Sequence, residues 1–221
     1  MMSSNSVPTV LVTGFEPFGG STLNPSQVIA ESLDDWAVDP MQLQLKTALL
    51  PVDTRQVEGV LSSLWQSHEP DIVLHFGESA KAEHFTLERV ALNLLDFETP
   101  DNAGLHVVDQ PIDPAGEAAH FVTLPVRALH DGLRADGIES SLSLSAGAYL
   151  CNQTLYLSLG HGQRRGGRAV GFVHVPSLPE QVQSGERTGS ALPRDVLIEN
   201  ARQLVERSVV LFRSQNEETR R

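Results

Sequence analysis

Apolar and polar positions change period repeatedly along the 221 residues. Residues 9–13 (Thr-Val-Leu-Val-Thr) form a β-branched run that stops at Gly14, and residues 25–33 then repeat apolar side chains at helical spacing. The same unit recurs: residues 43–50 alternate and stop at Pro51, and residues 54–64 place Val57, Val60, Leu61 and Leu64 on one helical face. Residues 71–76 read as a buried strand, and residues 85–95 alternate as one long strand, with a short helix as the other reading. Further on come a helix over 125–134, with Pro125 at its start, a strand over 140–145, a helix that begins near Cys151, and a strand over 169–175 ended by Pro176. Residues 195–212 repeat apolar positions at three and four, as a closing helix packed on one face. This alternation predicts a single-domain α/β fold, a three-layer α/β/α sandwich around a largely parallel twisted sheet.

Two segments lack either period. Residues 96–117 are rich in turn-formers and too long for a mere connection, so they are expected to cover a site or join a subunit contact. Residues 183–193 read as a polar, mobile loop, and residues 1–7 as a flexible start.

Charge removes whole classes of partner. Sixteen basic against twenty-eight acidic residues leave a net charge of −12 with no basic run, which repels nucleic acid and anionic membrane surfaces. The start lacks a signal-peptide pattern, and no apolar run reaches the roughly twenty residues needed to span a bilayer. One cysteine makes no internal disulfide and is compatible with a reducing compartment, so a cytoplasmic protein is expected.

That cysteine, Cys151, sits where a strand breaks into a helix, in Ser-Ala-Gly-Ala-Tyr-Leu-Cys-Asn over residues 145–152. A helix N-terminus favours a thiolate, although a lone cysteine is more often a small buried hydrophobe. A nucleophilic thiol needs a histidine and a group that orients it. Of eight histidines, five fall in helix ends, loops or exposed faces (His68, His106, His120, His130 and His161), whereas His75 and His174 lie near the C-terminal ends of apolar strands, where α/β sheets place their crevices. Spacing leaves His174 evenly balanced between catalysis and structure, and does not choose among Glu78, Glu83, Glu88, Asp96 and Glu98.

Four ordered blocks decide further. They are residues 12–20 (Val-Thr-Gly-Phe-Glu-Pro-Phe-Gly-Gly) with Asn24-Pro-Ser; Glu88-Arg-Val-Ala-Leu-Asn followed by Pro100-Asp-Asn; the segment around Cys151; and residues 171–181 (Gly-Phe-Val-His-Val-Pro-Ser-Leu-Pro-Glu-Gln). Together they resemble the pyroglutamyl-peptidase I family of cysteine peptidases. The resemblance implies an α/β/α sandwich, without metal or other cofactor, that hydrolyses the amide after an N-terminal pyroglutamyl residue of a small peptide, and it suggests a homotetramer. It assigns Cys151 as nucleophile, His174 as acid and base, and Glu88 as the group orienting the imidazole. It also places Phe15 and Phe18 around the flat lactam, with Asn24, Glu78, Tyr149 and Leu150 as further pocket residues. The bland reading of Phe15 and Phe18 is core packing, against which Pro17 and two glycines argue for an exposed loop.

Two positions depart from the family pattern, and both are acidic: Glu78 stands where a glutamine is usual and Glu98 where an arginine is common. At about 8 Å and an effective dielectric near 20, such a charge reversal opposes a thiolate by roughly 4 kcal/mol. The expectations that follow are a shifted pH optimum, compensation by a cation such as Lys81, or Glu98 pointing away. They also keep open a same-fold hydrolase with altered acyl specificity and a catalytically silent binding or assembly homologue. A nucleoside-phosphorylase-like protein, suggested by sandwich architecture alone, is the weakest reading.

Overall fold

The computed structural model describes residues 7–36 and 42–218; residues 1–6 of the expected flexible start lie outside the described residues. In chain order the elements are β1 (Thr9–Phe15), α1 (Pro25–Asp34), β2 (Gln44–Leu50), α2 (Val57–His68), β3 (Ile72–Glu78), β4 (Phe85–Glu88), β5 (Val90–Leu92), β6 (Ala119–Phe121), α3 (Val126–Ala135), β7 (Ser140–Ser143), α4 (Leu150–Arg164), β8 (Ala169–Val175), α5 (Pro179–Gln183) and α6 (Arg194–Glu218). Six strands form one sheet in the order β2-β1-β3-β8-β4-β7. Neighbours are parallel except β4 and β8, which run antiparallel.

Period-two alternation sorts the strand side chains into two cores. Val10, Val12, Ile72, Leu74, Phe85, Leu87 and Val173 pack beneath α1, α3 and α6, on which Ile29, Leu129, Leu133, Leu204 and Val205 are buried. Leu11, Phe15, Val73, Val170 and Phe172 point the other way, against Leu61 and Trp65 of α2 and Leu155 and Leu159 of α4. The result is the expected α/β/α sandwich.

Asn24 and Pro25 start α1: the Asn24 Oδ1 accepts from the Ser26 backbone N–H at 3.0 Å, and proline occupies the first turn, where its missing N–H costs nothing. Gly14 is required there because a Cβ would lie 2.1 Å from the Ser26 carbonyl oxygen. The stretch 85–95 is neither one long strand nor a helix. It stays in the main sheet as β4 until Glu88, then leaves as β5 to pair with β6, a strand absent from the sequence expectations. The Asn152 side chain draws it away, accepting from Leu92 N–H at 2.9 Å and donating to the carbonyls of Leu92 and Leu94 at 2.8 and 2.9 Å.

Candidate active site

The site follows from the same alternation. Phe85 and Leu87 point towards α1, α3 and α6, so Glu88 points towards α2 and α4; Phe172 faces that layer as well, and His174, two residues on, shares its side. Register brings these positions level, since His174 lies opposite Gly77 on β3 and opposite Thr86 on β4. The first turn of α4, which packs on this face, delivers Cys151. Gly77 makes the approach possible: a Cβ there would fall 2.9 Å from Cys151 Sγ and 2.7 Å from the Phe172 ring.

Glu88 is 2 % exposed, and its Oε1 lies 2.8 Å from His174 Nδ1. With Nδ1 donating to the carboxylate, Nε2 is left for the sulfur of Cys151, which lines the same cleft. Burial alone would lower the basicity of His174. The charge of the adjoining sulfur and its hydrogen bond, followed by those of Glu88, outweigh burial and hold the imidazole up at about 10. His75 shows the contrast: buried beside Phe172, with Thr13 Oγ1 2.7 Å from Nδ1 and no carboxylate partner, it is pushed down to about 3 by burial and stays neutral. His161 was expected on an exposed or terminal position; it is in fact buried on Trp65, with ring centroids 5.8 Å apart, because α4 turns that face inward.

Cys151 and His174 line a cleft of about 850 Å³ together with Phe18, Glu78, Thr86, Glu88 and Tyr149. Tyr149 packs edge-on against Phe97 at 4.6 Å and tilted against Phe18 at 6.4 Å, so aromatic faces gather beside the thiol. Burial, then the charges of Asp101 and Cys151, push the Tyr149 hydroxyl up to about 12, and it donates to the Pro100 carbonyl at 3.2 Å as a neutral phenol. No side chain caps the N-terminus of α4, which leaves its first-turn N–H groups pointing into this region.

The remaining expected pocket residues stand behind the cleft. Phe15 is buried against Phe172, with centroids 6.3 Å apart, and Leu150 is buried in the α2–α4 core. Asn24 caps α1: Oδ1 accepts from Ser26, Nδ2 donates to the Glu16 carbonyl at 3.0 Å, and the residue is 1 % exposed. Asp96, Glu98 and Thr99 line the cleft, whereas 112–117 border a separate cavity beside α2 and α4.

Both anomalous glutamates find physical answers. Glu98 is exposed at the cleft rim, where water and salt screen it more strongly than the effective dielectric near 20 used from sequence. Glu78 is buried and paired, through an arginine that sequence reasoning missed. Arg187 Nε donates to Glu78 Oε1 at 3.1 Å and Nη2 to Oε2 at 3.3 Å. The only signal was indirect: a carboxylate ending a strand as apolar as β3 requires a cation, but nothing in the sequence says which. The segment 183–193 thus anchors a side chain against two residues that line the cleft, Glu78 and Phe18.

A thiol, an imidazole and a buried carboxylate gathered in one cleft at the strand ends of an α/β sheet define a cysteine hydrolase. Residues 8–209 match the family described as pyroglutamyl peptidase. The pyrrolidone-carboxylate peptidase of Pyrococcus furiosus is 41 % identical over 174 residues, covering 78 % of this chain and 83 % of that one. That of Vibrio vulnificus is 41 % identical over 184 residues, covering 83 % and 85 %. A crystal structure of the pyrrolidone carboxyl peptidase from Pyrococcus furiosus superimposes with a TM-score of 0.86 at 35 % identity, over 92 % of this chain and 99 % of that one. The chain belongs to the pyroglutamyl peptidase family.

Proposed function

We propose that this protein removes N-terminal pyroglutamyl residues from small peptides, with Cys151 as nucleophile, His174 as acid and base, and Glu88 orienting the imidazole. The observation that carries this reading is the 2.8 Å contact from Glu88 to His174 in a cleft that His174 shares with Cys151. Sulfur attacks the pyroglutamyl carbonyl carbon, and the resulting oxyanion meets N–H groups of the first turn of α4. The imidazolium gives its proton to the amide nitrogen as the C–N bond breaks, leaving a thioester and a free peptide amine. Neutral His174 then takes a proton from water, hydroxide adds to the thioester, and pyroglutamate leaves as the thiolate and imidazolium re-form.

A lactam is flat and uncharged, which suits the aromatic faces of Phe18 and Tyr149 and disfavours free glutamate, whose charges such a slot does not solvate. Phe15, Leu150 and Asn24 support this slot from behind. The pairing of Glu78 with Arg187 argues against altered acyl specificity, because the carboxylate adds no net charge to the pocket. Hydrolysis of pyroglutamyl-aminomethylcoumarin by wild type, Cys151→Ala and His174→Ala tests the reading. Wild type turns over and each variant loses about 10³-fold or more. A folded wild type without turnover overturns it.

The same reading includes a cytoplasmic homo-oligomer, a tetramer by family likeness. Exposed Phe121 and Leu144 support subunit contact: they flank the point where Arg89 joins β6 to the end of β7, its N–H donating to Ser143 and its carbonyl accepting from Val122. Sedimentation of the wild type at micromolar concentration as a monomer refutes that part.

A further inference from the structure

The loop between α5 and α6 sets a side chain, Arg187, against Glu78 and Phe18 of the catalytic cleft, and neither the sequence blocks nor the triad accounts for it. Glu78 ends β3 with its side chain 1 % exposed, and the Arg187 side chain beside it is 12 % exposed. Glu78 Oε1 accepts from Arg187 Nε at 3.1 Å, from Ser177 Oγ at 2.9 Å and from Gln181 Nε2 at 3.1 Å, while Oε2 accepts from Arg187 Nη2 at 3.3 Å. The same Nη2 donates to the Phe18 carbonyl at 3.0 Å, and the guanidinium carbon lies 5.0 Å from the Phe18 ring centroid. One planar cation therefore neutralises the buried carboxylate and holds the aromatic wall of the slot. The neighbouring Glu186 secures the same loop, accepting from Ser21 Oγ at 2.7 Å.

From this we infer that Arg187 is a positioning and specificity-determining residue for the acyl group: it keeps the Glu78 end of the slot neutral and fixes Phe18 in the orientation that receives the lactam. The inference rests on the pyroglutamyl reading above. A neutral lactam gains nothing from a nearby unpaired carboxylate, which would draw in water or a proton, so an acidic residue at position 78 is compatible with that substrate only with its cation in place. Lysine does not replace the arginine. An ammonium group can neutralise Glu78, but it lacks the planar fork that serves the carboxylate and the Phe18 carbonyl together.

The test is steady-state kinetics with pyroglutamyl-aminomethylcoumarin at pH 8 for wild type, Arg187→Met, Arg187→Lys and the double variant Glu78→Gln/Arg187→Met. Arg187→Met raises KM by about tenfold or more at pH 8 while kcat changes by less than about threefold, the signature of lost ground-state binding. The double variant, neutral without either charge, recovers most of the lost KM, and Arg187→Lys falls between. A KM for Arg187→Met equal to wild type, or one that is raised and not recovered in the double variant, overturns the inference while leaving the peptidase reading intact. If Arg187→Met does not fold, the double variant decides: a KM near wild type upholds the inference, and one raised about tenfold defeats it. A wild type without turnover on this substrate defeats both.

Discussion

At the residue scale the chemistry depends on how His174 keeps its proton. Burial works against the imidazolium, and the adjoining Cys151 sulfur and Glu88 carboxyl more than offset it. Because the folded value is raised, the proton is retained at neutral pH and lost only as pH climbs through about 10. Loss of leaving-group protonation on the alkaline side should follow that titration. Glu88→Gln keeps an acceptor for Nδ1 but removes a charge. The alkaline limb of kcat should therefore move to lower pH and the rate should drop by about 10²-fold or more, as expected when an acid–base group loses its orienting anion. An unmoved limb in a pH–rate profile of Glu88→Gln would show that Glu88 does not hold the proton.

At the element scale two close approaches place the site. Gly77 admits α4 to the sheet edge, and Asn24 with Gly14 seats α1 against β1. In Gly77→Ala the new methyl group meets both Cys151 Sγ and the Phe172 ring. It should lower kcat/KM by about tenfold or more and cost about 1–3 kcal/mol of stability, read from urea midpoints. Asn24→Ala should cost about 1–2 kcal/mol through the lost cap. A stability equal to wild type would mean that the cap is dispensable. Much of this level was legible in advance: β1, α1, β2, α2, α3, α4 and β8 lie where the periodicity puts them, because each buries one regular face. The break after Glu88 was not, since alternation continues through residues 85–95 while the hydrogen-bonding partner changes from β7 and β8 to β6.

At the scale of the whole molecule, the net charge of −12 meets a cleft whose exposed rim carries Asp96 and Glu98 along with Lys81. Such a field attracts cationic substrates and weakens with salt. Pyroglutamyl peptides continuing with arginine should show kcat/KM about fivefold above those continuing with glutamate at about 20 mM salt, converging to within about twofold at about 0.5 M. Equal rates at low salt would mean that the leaving peptide does not pass this rim.

The amino-acid order by itself determined the layered α/β class, the positions of most strands and helices, and, through four ordered blocks, the family; the three groups proposed to react were named from the same blocks. These are local or motif properties, written in period and residue type. Only the tertiary structure decided that Asn24 caps a helix, that Glu98 stands in water, and that Glu78 is neutralised by an arginine 109 residues further on. Each of these depends on which distant atoms surround a side chain, and hence on dielectric and hydrogen-bond partners, which a periodicity does not encode.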